Sequence, residues 1–176
     1  MRWPTRVALL WLATAAGAAH ADDAPTAQLR SASFVTSDIE ASVAFYTEYL
    51  GYKVLGRSEV TAPKSRAVVG AQTESTVRYV SLAPAMWSRD NSDYAGLSFI
   101  EIPEADASPF DQDPTRASRA AEPILAHRVT NIDEIARRMA EDNVPVVTPL
   151  GLSGSGKSRS MAVLDPNGLR VELYEY

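Results

Sequence analysis

Residues 37–54 carry the clearest pattern of hydrophobic and polar positions in the chain. Apolar side chains recur there at the spacing of one helical face, namely Ile39, Val43, Tyr46 and Leu50. Ser37 and Glu40 have the spacing of a capping box at a helix start, and Gly51 is placed to end the helix. The pattern therefore predicts one amphipathic helix that leads into a strand.

A similar pattern returns at residues 130–147. Its apolar stripe consists of Ile132, Ile135, Ala136 and Met139. Thr130 and Asp133 fit the same capping pattern, Asn143 stands near the expected helix end, and residues 144–147 begin another strand. The chain is therefore predicted to contain two similar modules, each made of a strand, a helix and further strands.

Alternating positions and turn residues predict the remaining strands. In the first half they are residues 30–36, 52–60, 65–70, 75–82 and 96–102. In the second half they are residues 122–129, 145–148, 160–164 and 169–174. Residues 83–94, which include Trp87, are predicted to form a loop, and residues 104–121 are predicted to link the modules.

Four short segments together resemble the vicinal-oxygen-chelate superfamily of glyoxalases, fosfomycin and bleomycin resistance proteins and extradiol dioxygenases. They are Asp38 at the helix start, Phe45-Tyr46, Leu50-Gly51-Tyr52, and the sequence Asp-Pro-Asn-Gly-Leu-Arg-Val-Glu-Leu at 165–173. The resemblance covers residues 29–176 and implies an α+β fold of two paired βαβββ modules. Their curved mixed sheets would surround a shared cavity, with module one at 29–103 and module two at 122–176.

The first 21 residues have the features of a secretory signal. Arg2 and Arg6 precede an apolar run at 7–19 that is too short to span a bilayer, and Ala19-His20-Ala21 fits a cleavage site. We expect a periplasmic or secreted protein without a membrane partner after cleavage, with a mobile leader at 22–28. A retained membrane anchor is the alternative.

Charge and composition exclude several functions. Removal of residues 1–21 would leave 15 basic and 22 acidic residues, a net charge of −7 that argues against a nucleic-acid partner. The absence of cysteine excludes disulfides, thiolate metal sites and cysteine nucleophiles.

His127 would be the single remaining histidine, and strand parity places it with Leu125 and Val129 on the helix side. A structural role is favoured there, while a role in a site stays open.

Residues 151–158, Gly-Leu-Ser-Gly-Ser-Gly-Lys-Ser, match the G-x-x-x-x-G-K-[ST] pattern of a phosphate-binding loop. Such a loop needs a following helix whose N-terminus faces the phosphates, but residues 159–164 have strand character. We therefore expect no nucleotide partner. A flexible loop at the mouth of the cavity, offering Lys157 to an anionic ligand, is the favoured interpretation.

Glu101 and Glu172 are the candidate catalytic or metal-binding carboxylates. Each stands between apolar residues in the last strand of its module, and the resemblance implies that a metal-ligating glutamate occupies this strand. The same resemblance implies a His or Gln seven residues before the helix start, but that register falls on Ser31 and on Ile124. Neither is a usual ligand for the divalent ions concerned. Half of the implied coordination shell is therefore missing.

Other polar and aromatic residues are candidates for contacts with a small molecule. They are Ser31, Ser33, Arg78, Phe99, Arg128, Lys157, Arg170 and Tyr174. The pocket would then recognise a polar or anionic, partly aromatic ligand. The alternative is that the arginines pair with Glu101 or Glu172 and hold the sheets together.

The residues leave two functions open. The first is a binding protein without a complete metal site and without a cofactor, similar to the bleomycin resistance branch. The second is a lyase, isomerase or epimerase similar to the glyoxalases, in which Glu101 and Glu172 hold Mg, Mn, Ni or Zn or one of them acts as a base. A dioxygenase is disfavoured because its iron site needs two histidines. The resemblance is also compatible with a homodimer.

Overall fold

The computed structural model describes residues 29–72, 74–85, 95–103 and 110–176. The predicted signal segment 1–21, the leader 22–28, Trp87 and part of the predicted linker lie outside the described residues. Within the described part of the chain, no helix has the length and apolar character needed to cross a membrane.

The described residues form eight strands and three helices. The first half contains β1 (Ser31–Thr36), α1 (Ile39–Glu48), β2 (Lys53–Val60), α2 (Pro63–Val68), β3 (Val77–Ala83) and β4 (Gly96–Glu101). The second half contains β5 (Ile124–Arg128), α3 (Ile132–Glu141), β6 (Val146–Leu152), β7 (Arg159–Leu164) and β8 (Arg170–Glu175).

The strands build two four-stranded sheets with the same internal order, β1-β4-β3-β2 and β5-β8-β7-β6. In each sheet the strand that comes first in the chain pairs in parallel with the strand that comes last, so β1 pairs with β4 and β5 with β8. The other neighbouring strands pair antiparallel. This arrangement confirms the predicted α+β class with two mixed sheets. The helix α2 has no counterpart among the described residues of the second half.

One hydrophobic cluster joins the two halves. Its fully buried side chains include Ile39, Tyr46, Leu82, Phe99, Ile132, Met139 and Leu173. They come from α1, α3 and the central strands of both sheets, so that each long helix covers one face of its sheet. We call this covered face the helix side and the opposite face the open face.

Both long helices begin differently from the sequence prediction. Asp38, rather than Ser37, precedes α1, and its carboxylate accepts a hydrogen bond from the backbone N–H of Ala41 at 2.9 Å. Asn131 precedes α3 in a left-handed conformation and makes no side-chain cap, so Thr130 and Asp133 do not form the predicted box. Shifting a cap by one residue costs little because Ser, Thr, Asp and Asn all serve at helix starts.

A glutamate from the last strand of each sheet contacts the start of the corresponding helix. Glu101 accepts a hydrogen bond from the backbone N–H of Ile39, and Glu175 accepts one from that of Ile132, both at 3.2 Å. An arginine on the neighbouring strand pairs with each glutamate, Arg78 with Glu101 and Arg159 with Glu175. The carboxylates therefore compensate the unpaired donors at the helix N-termini.

Two strand predictions need correction. Residues 65–70 were predicted as a strand, but Pro63–Val68 is the helix α2. Pro63 stands in its first turn, where the fixed φ angle of proline and its missing N–H suit a helix. The predicted strand 145–148 continues to Leu152, and the register is irregular around Pro149. A proline lacks the donor that a regular ladder needs, which accounts for the irregularity.

The turn after β7 attaches the second half to α1 through buried polar groups. Tyr46 donates to the Asp165 carboxylate at 3.0 Å. The side chain of Asn167 accepts from Thr36 at 2.6 Å and donates to Ser42 at 3.0 Å. Because removing one partner leaves another buried group unpaired, each of these bonds costs about 1–3 kcal/mol to break.

Residues 110–122 form an ordered strap over the same turn. Arg116 pairs with Glu122 at 2.6 Å, and their side chains are 9% and 0% exposed. These bonds lower the pKa of Glu122 to about 2. Arg116 also donates to the carbonyl of Gly168 at 2.7 Å, while Phe110 donates its backbone N–H to the carbonyl of Asn167. The C-terminal part of the predicted linker is thus packed rather than extended.

Gly168 provides a test of the contact between the strap and the turn. Its φ is +74°, and an added Cβ would lie 2.3 Å from the carbonyl oxygen of Phe110. We expect Gly168→Ala to lower the free energy of unfolding by about 3 kcal/mol or more, from backbone strain and overlap together. Urea unfolding of the purified protein measures this.

Gly154→Ala is the matched control, since no atom lies within 4 Å of a Cβ at that position. We expect its effect to stay within about 0.5 kcal/mol. Equal stability of the two variants would contradict the packed strap.

Candidate functional site

The middle of the open face of the first sheet is lined by small and hydroxylated residues, whereas one end of this face is covered by a second buried cluster of Val77, Ile100 and Ile102. Ser33, Ser98, Ser81 and Gly56 stand side by side across β1, β4, β3 and β2. No atom nearer than 3.8 Å would contact a Cβ at Gly56, and that atom is the Ser81 hydroxyl. The middle of this face therefore carries small side chains and hydroxyl groups and no bulky side chain in this row.

Three hydroxyl groups form a hydrogen-bonded chain on this face. The Ser98 hydroxyl lies 2.8 Å from the Tyr79 hydroxyl and 3.1 Å from the Ser31 hydroxyl. Ser98 is buried at 1% exposure, whereas Ser31 is exposed. A hydroxyl both donates and accepts, so the exposed end of this chain can bind either type of neutral polar group.

The open face of the second sheet carries the charged groups. Glu172 stands between Ala126 on β5 and Ala162 on β7. The other predicted residues of this face, Arg170 and Tyr174, flank Glu172 at alternate positions along β8. Arg128 lies beside Tyr174 in the register. The structure therefore brings together four predicted residues: Arg128, Arg170, Glu172 and Tyr174.

Arg170 is held by the strap. One terminal nitrogen of its guanidinium donates to the carbonyl of Arg116. Its Nε is buried and has no hydrogen-bond partner within the described part of the chain. A buried donor without a partner is uncommon in native proteins and carries a free-energy cost. The strap thus anchors the guanidinium of Arg170 beside the open face.

Glu101 does not share this face. It lies on the helix side together with Leu97 and Phe99, where it caps α1 and binds Arg78. Its counterpart in the second half is Glu175, which does the same for α3, and the counterpart of Glu172 is Ser98. The predicted pairing of Glu101 with Glu172 in one cavity therefore does not occur within either sheet.

Phe99 and Arg78 were predicted ligand contacts and also lie on the helix side. Phe99 is 0% exposed and packs against Tyr46 with ring centroids 5.2 Å apart. The guanidinium of Arg78 is occupied by Glu101, whose bonds raise the pKa of Arg78. Phe99 and Glu101 do share one face of the sheet, as strand parity predicts. That face is the helix side, however, and not the face available to a ligand.

His127 lies on the helix side, as strand parity predicts. Its ring sits 6.0 Å from that of Tyr46 and 5.8 Å from that of Tyr52. Burial lowers the pKa of His127, and its Nδ1 has no hydrogen-bond partner among the residues that the structure describes. Burial also raises the pKa of Tyr52 to about 12. The imidazole therefore contributes to the core rather than to the open face.

Lys157 and the glycine-rich segment form the connection between β6 and β7. The backbone closes this turn through bonds between Ser153 and Ser158, and Lys157 is exposed at its tip. The segment that follows is the strand β7, as predicted, and not the helix that a phosphate-binding loop requires.

The resemblance implies a divalent ion, but the open-face residues do not fit one. Glu172 has alanines on both sides, and Ser98 has serines. Neutral hydroxyls do not replace the imidazole and carboxylate ligands that such ions prefer. Within residues 29–72, 74–85, 95–103 and 110–176, no three His, Asp or Glu side chains come together as a metal site.

Sequence reasoning missed Ser98 and Tyr79. Ser98 and Glu101 both stand between apolar residues, three positions apart on one strand, so they face opposite sides. Because β4 has apolar residues on both faces, alternation alone does not identify the open one. The structure resolves this through the register, which places Arg78 opposite Glu101 in an ion pair.

Comparison with known proteins agrees with this architecture. A model of the Glyoxalase/Bleomycin resistance protein/Dioxygenase superfamily matches residues 28–173. The comparison with curated proteins gave no match.

Solved structures of glyoxalase-family proteins share the fold at low sequence identity. The glyoxalase family protein from Bacillus cereus has a TM-score of 0.67 at 15% identity, over 87% of this chain and 96% of its own. The trypanothione-dependent glyoxalase I of Leishmania major has a TM-score of 0.56 at 22% identity, over 85% of this chain and 87% of its own. The glyoxalase family protein from Enterococcus faecalis has a TM-score of 0.55 at 21% identity, over 84% of this chain and 97% of its own. With the family model matching most of its length, this chain belongs to the Glyoxalase/Bleomycin resistance protein/Dioxygenase superfamily.

Proposed function

We propose that this protein binds a small polar or anionic molecule on its open faces, without a complete metal site. The observation that carries the proposal is the position of Glu172, the one carboxylate on the open faces of the central strands, between two alanines. A lone carboxylate holds a divalent ion weakly, whereas the surrounding hydroxyl and guanidinium groups suit an organic ligand.

The two open faces differ in charge, which narrows the ligand class. The first offers the neutral hydroxyls of Ser31, Ser98 and Tyr79. The second offers the guanidinium groups of Arg128 and Arg170. A ligand with an anionic group and a neutral hydrogen-bonding part satisfies both. Arginine is suited to the anionic part because its planar donors match a carboxylate or phosphate.

A metal-assisted lyase, isomerase or epimerase is the alternative function. It needs Glu101 and Glu172 together to hold a metal ion, or one of them to act as a base. Glu101 instead binds Arg78 and the start of α1 on the helix side. Its carboxylate is occupied, so the alternative has the support of Glu172 alone.

The ligand class predicts a specific response in thermal unfolding. We would screen small carboxylates and phosphates, each beside its neutral amide or alcohol analogue, by the shift in Tm. At a hundredfold excess over Kd a ligand adds about 2.7 kcal/mol of stability, so binding is measurable as a shift of several degrees. We expect at least one anion to raise Tm more than its neutral analogue does.

Arg128→Gln should abolish the preference for the anion, because Arg128 is exposed on the open face beside Tyr174. The matched control is Arg137→Gln on α3, where the arginine pairs with Glu134 and Glu141 away from both sheets. No response to any anion, or an unchanged preference in Arg128→Gln, would contradict the proposal.

Export is a further part of the proposed function, and it is supported by the sequence of residues 1–21. In a bacterial host we expect the exported protein to begin at Asp22, as read by intact mass and N-terminal sequencing. Ala21→Leu should block cleavage because a small residue is required there, whereas Ala18→Leu in the apolar run should not. Retention of Met1 in the wild-type protein would contradict cleavage.

A further inference from the structure

The contact between the two halves contains a half-buried titratable group, His127. It lies on β5 of the second half, and its ring packs against two tyrosines of the first half, Tyr46 on α1 and Tyr52 just before β2. The Nδ1 atom is buried without a hydrogen-bond partner. An imidazolium at this position would therefore be a partly desolvated charge beside two aromatic rings, with a favourable contact to the backbone carbonyl of Leu125.

The equivalent position of the first half shows what this site ordinarily accommodates. Phe34 lies opposite Phe99 across the parallel pair β1–β4, as His127 lies opposite Leu173 across β5–β8. The Phe34 and Phe99 rings are 6.1 Å apart, in the same layer as Tyr46. A purely apolar aromatic ring thus fills the matching position, and only the second half carries a group that titrates near neutral pH.

The groups that face His127 from the packed elements do not supply an opposite charge. They are Tyr46 from α1, Tyr52 from the segment before β2, and Leu173 from β8. Asp165 lies behind Tyr46 and accepts its hydroxyl proton in a hydrogen bond at 3.0 Å, so it contacts the tyrosine rather than the imidazole. The backbone carbonyl of Leu125 favours the protonated form, but burial outweighs it and the pKa stays lowered.

We propose that His127 makes the contact between the two halves sensitive to acid: protonation of its ring drives β5 away from Tyr46 and Tyr52 and loosens the joint. The two tyrosines that contact the imidazole belong to the other half, so movement of the halves apart exposes the charge more fully to water. Movement of β5 also displaces Arg128, which directly follows His127 in this strand and lies on the open face. Acid would therefore alter the geometry of that face. The inference goes beyond ligand binding and does not depend on it.

The direction of the pH effect follows from the lowered pKa. A histidine that binds its proton less readily when folded contributes stability above its ordinary value of 6.5, which is lost as pH falls through the lowered pKa. Each unit of lowering multiplies the opening equilibrium constant by about ten once the ring is protonated. Asp165 has the opposite effect on stability as pH falls. Burial raises its pKa, so its protonation stabilises the folded form.

Hydrogen exchange with mass spectrometry tests the proposal without any ligand. We would compare the wild-type protein with His127→Phe at pH 7.5, 6.5 and 5.5, after correction for the intrinsic exchange rates. In the wild type, peptides covering β5 and α1 should lose protection between pH 7.5 and pH 5.5, by at most about tenfold when the ordinary pKa is 6.5. Peptides covering β3 serve as the internal reference and should change little.

His127→Phe gives the second half the side chain that the first half has at the matching position, Phe34. It should remove the acid-dependent loss of protection. Asp165 is unchanged in this variant, so its contribution cancels in the comparison. His127→Gln, which is polar but does not titrate, should behave in the same way and provides a second variant if phenylalanine impairs folding. Equal pH dependence in wild type and variants, or loss of protection spread evenly over all peptides, would overturn the proposal. Either result would leave the ligand proposal standing.

Discussion

The turn that contains Asp165 and Asn167 imposes the main constraint on this structure, because it places polar side chains of the second half inside the first. Asn167 is 7% exposed and Asp165 is 1% exposed, so their hydrogen bonds to Thr36, Ser42 and Tyr46 are shielded from water. Such a network is satisfied only in one arrangement of the halves, which makes it a source of specificity as well as stability. The strap over Gly168 then shields the turn from the other side.

A division between the two faces of the sheets follows from this constraint. Ionised groups on the helix side are occupied by structural partners: Glu101 and Glu175 at the helix starts, and Asp142 with Tyr49 at the helix ends. On the open faces, by contrast, Glu172 and Arg128 form no ion pair within the described residues. The side chains free to act on a ligand are therefore on the open faces.

The sequence was sufficient for the fold class and for most element positions, because the helical stripes of Ile39 and Ile132 and the alternating strands reflect burial directly. It was insufficient for the site, because β4 carries apolar residues on both faces, and β4 and β8 each carry polar residues three positions apart that face opposite sides. Choosing Glu101 and Glu172 as a pair therefore mixed a helix-capping residue with an open-face residue. The helix α2 was missed for a different reason, since a short segment with Val68 and Val69 fits a strand as well as a helix.

The metal content of the purified protein tests the central claim most directly, namely that its open faces bind organic molecules rather than a divalent ion. The protein would be incubated with Mg, Mn, Fe, Ni or Zn, passed through gel filtration and analysed by elemental mass spectrometry. We expect no ion in stoichiometric amount, because Glu172 has alanine neighbours on both adjacent strands. One retained ion per chain that is lost in Glu172→Gln, but not in Glu175→Gln, would contradict the account.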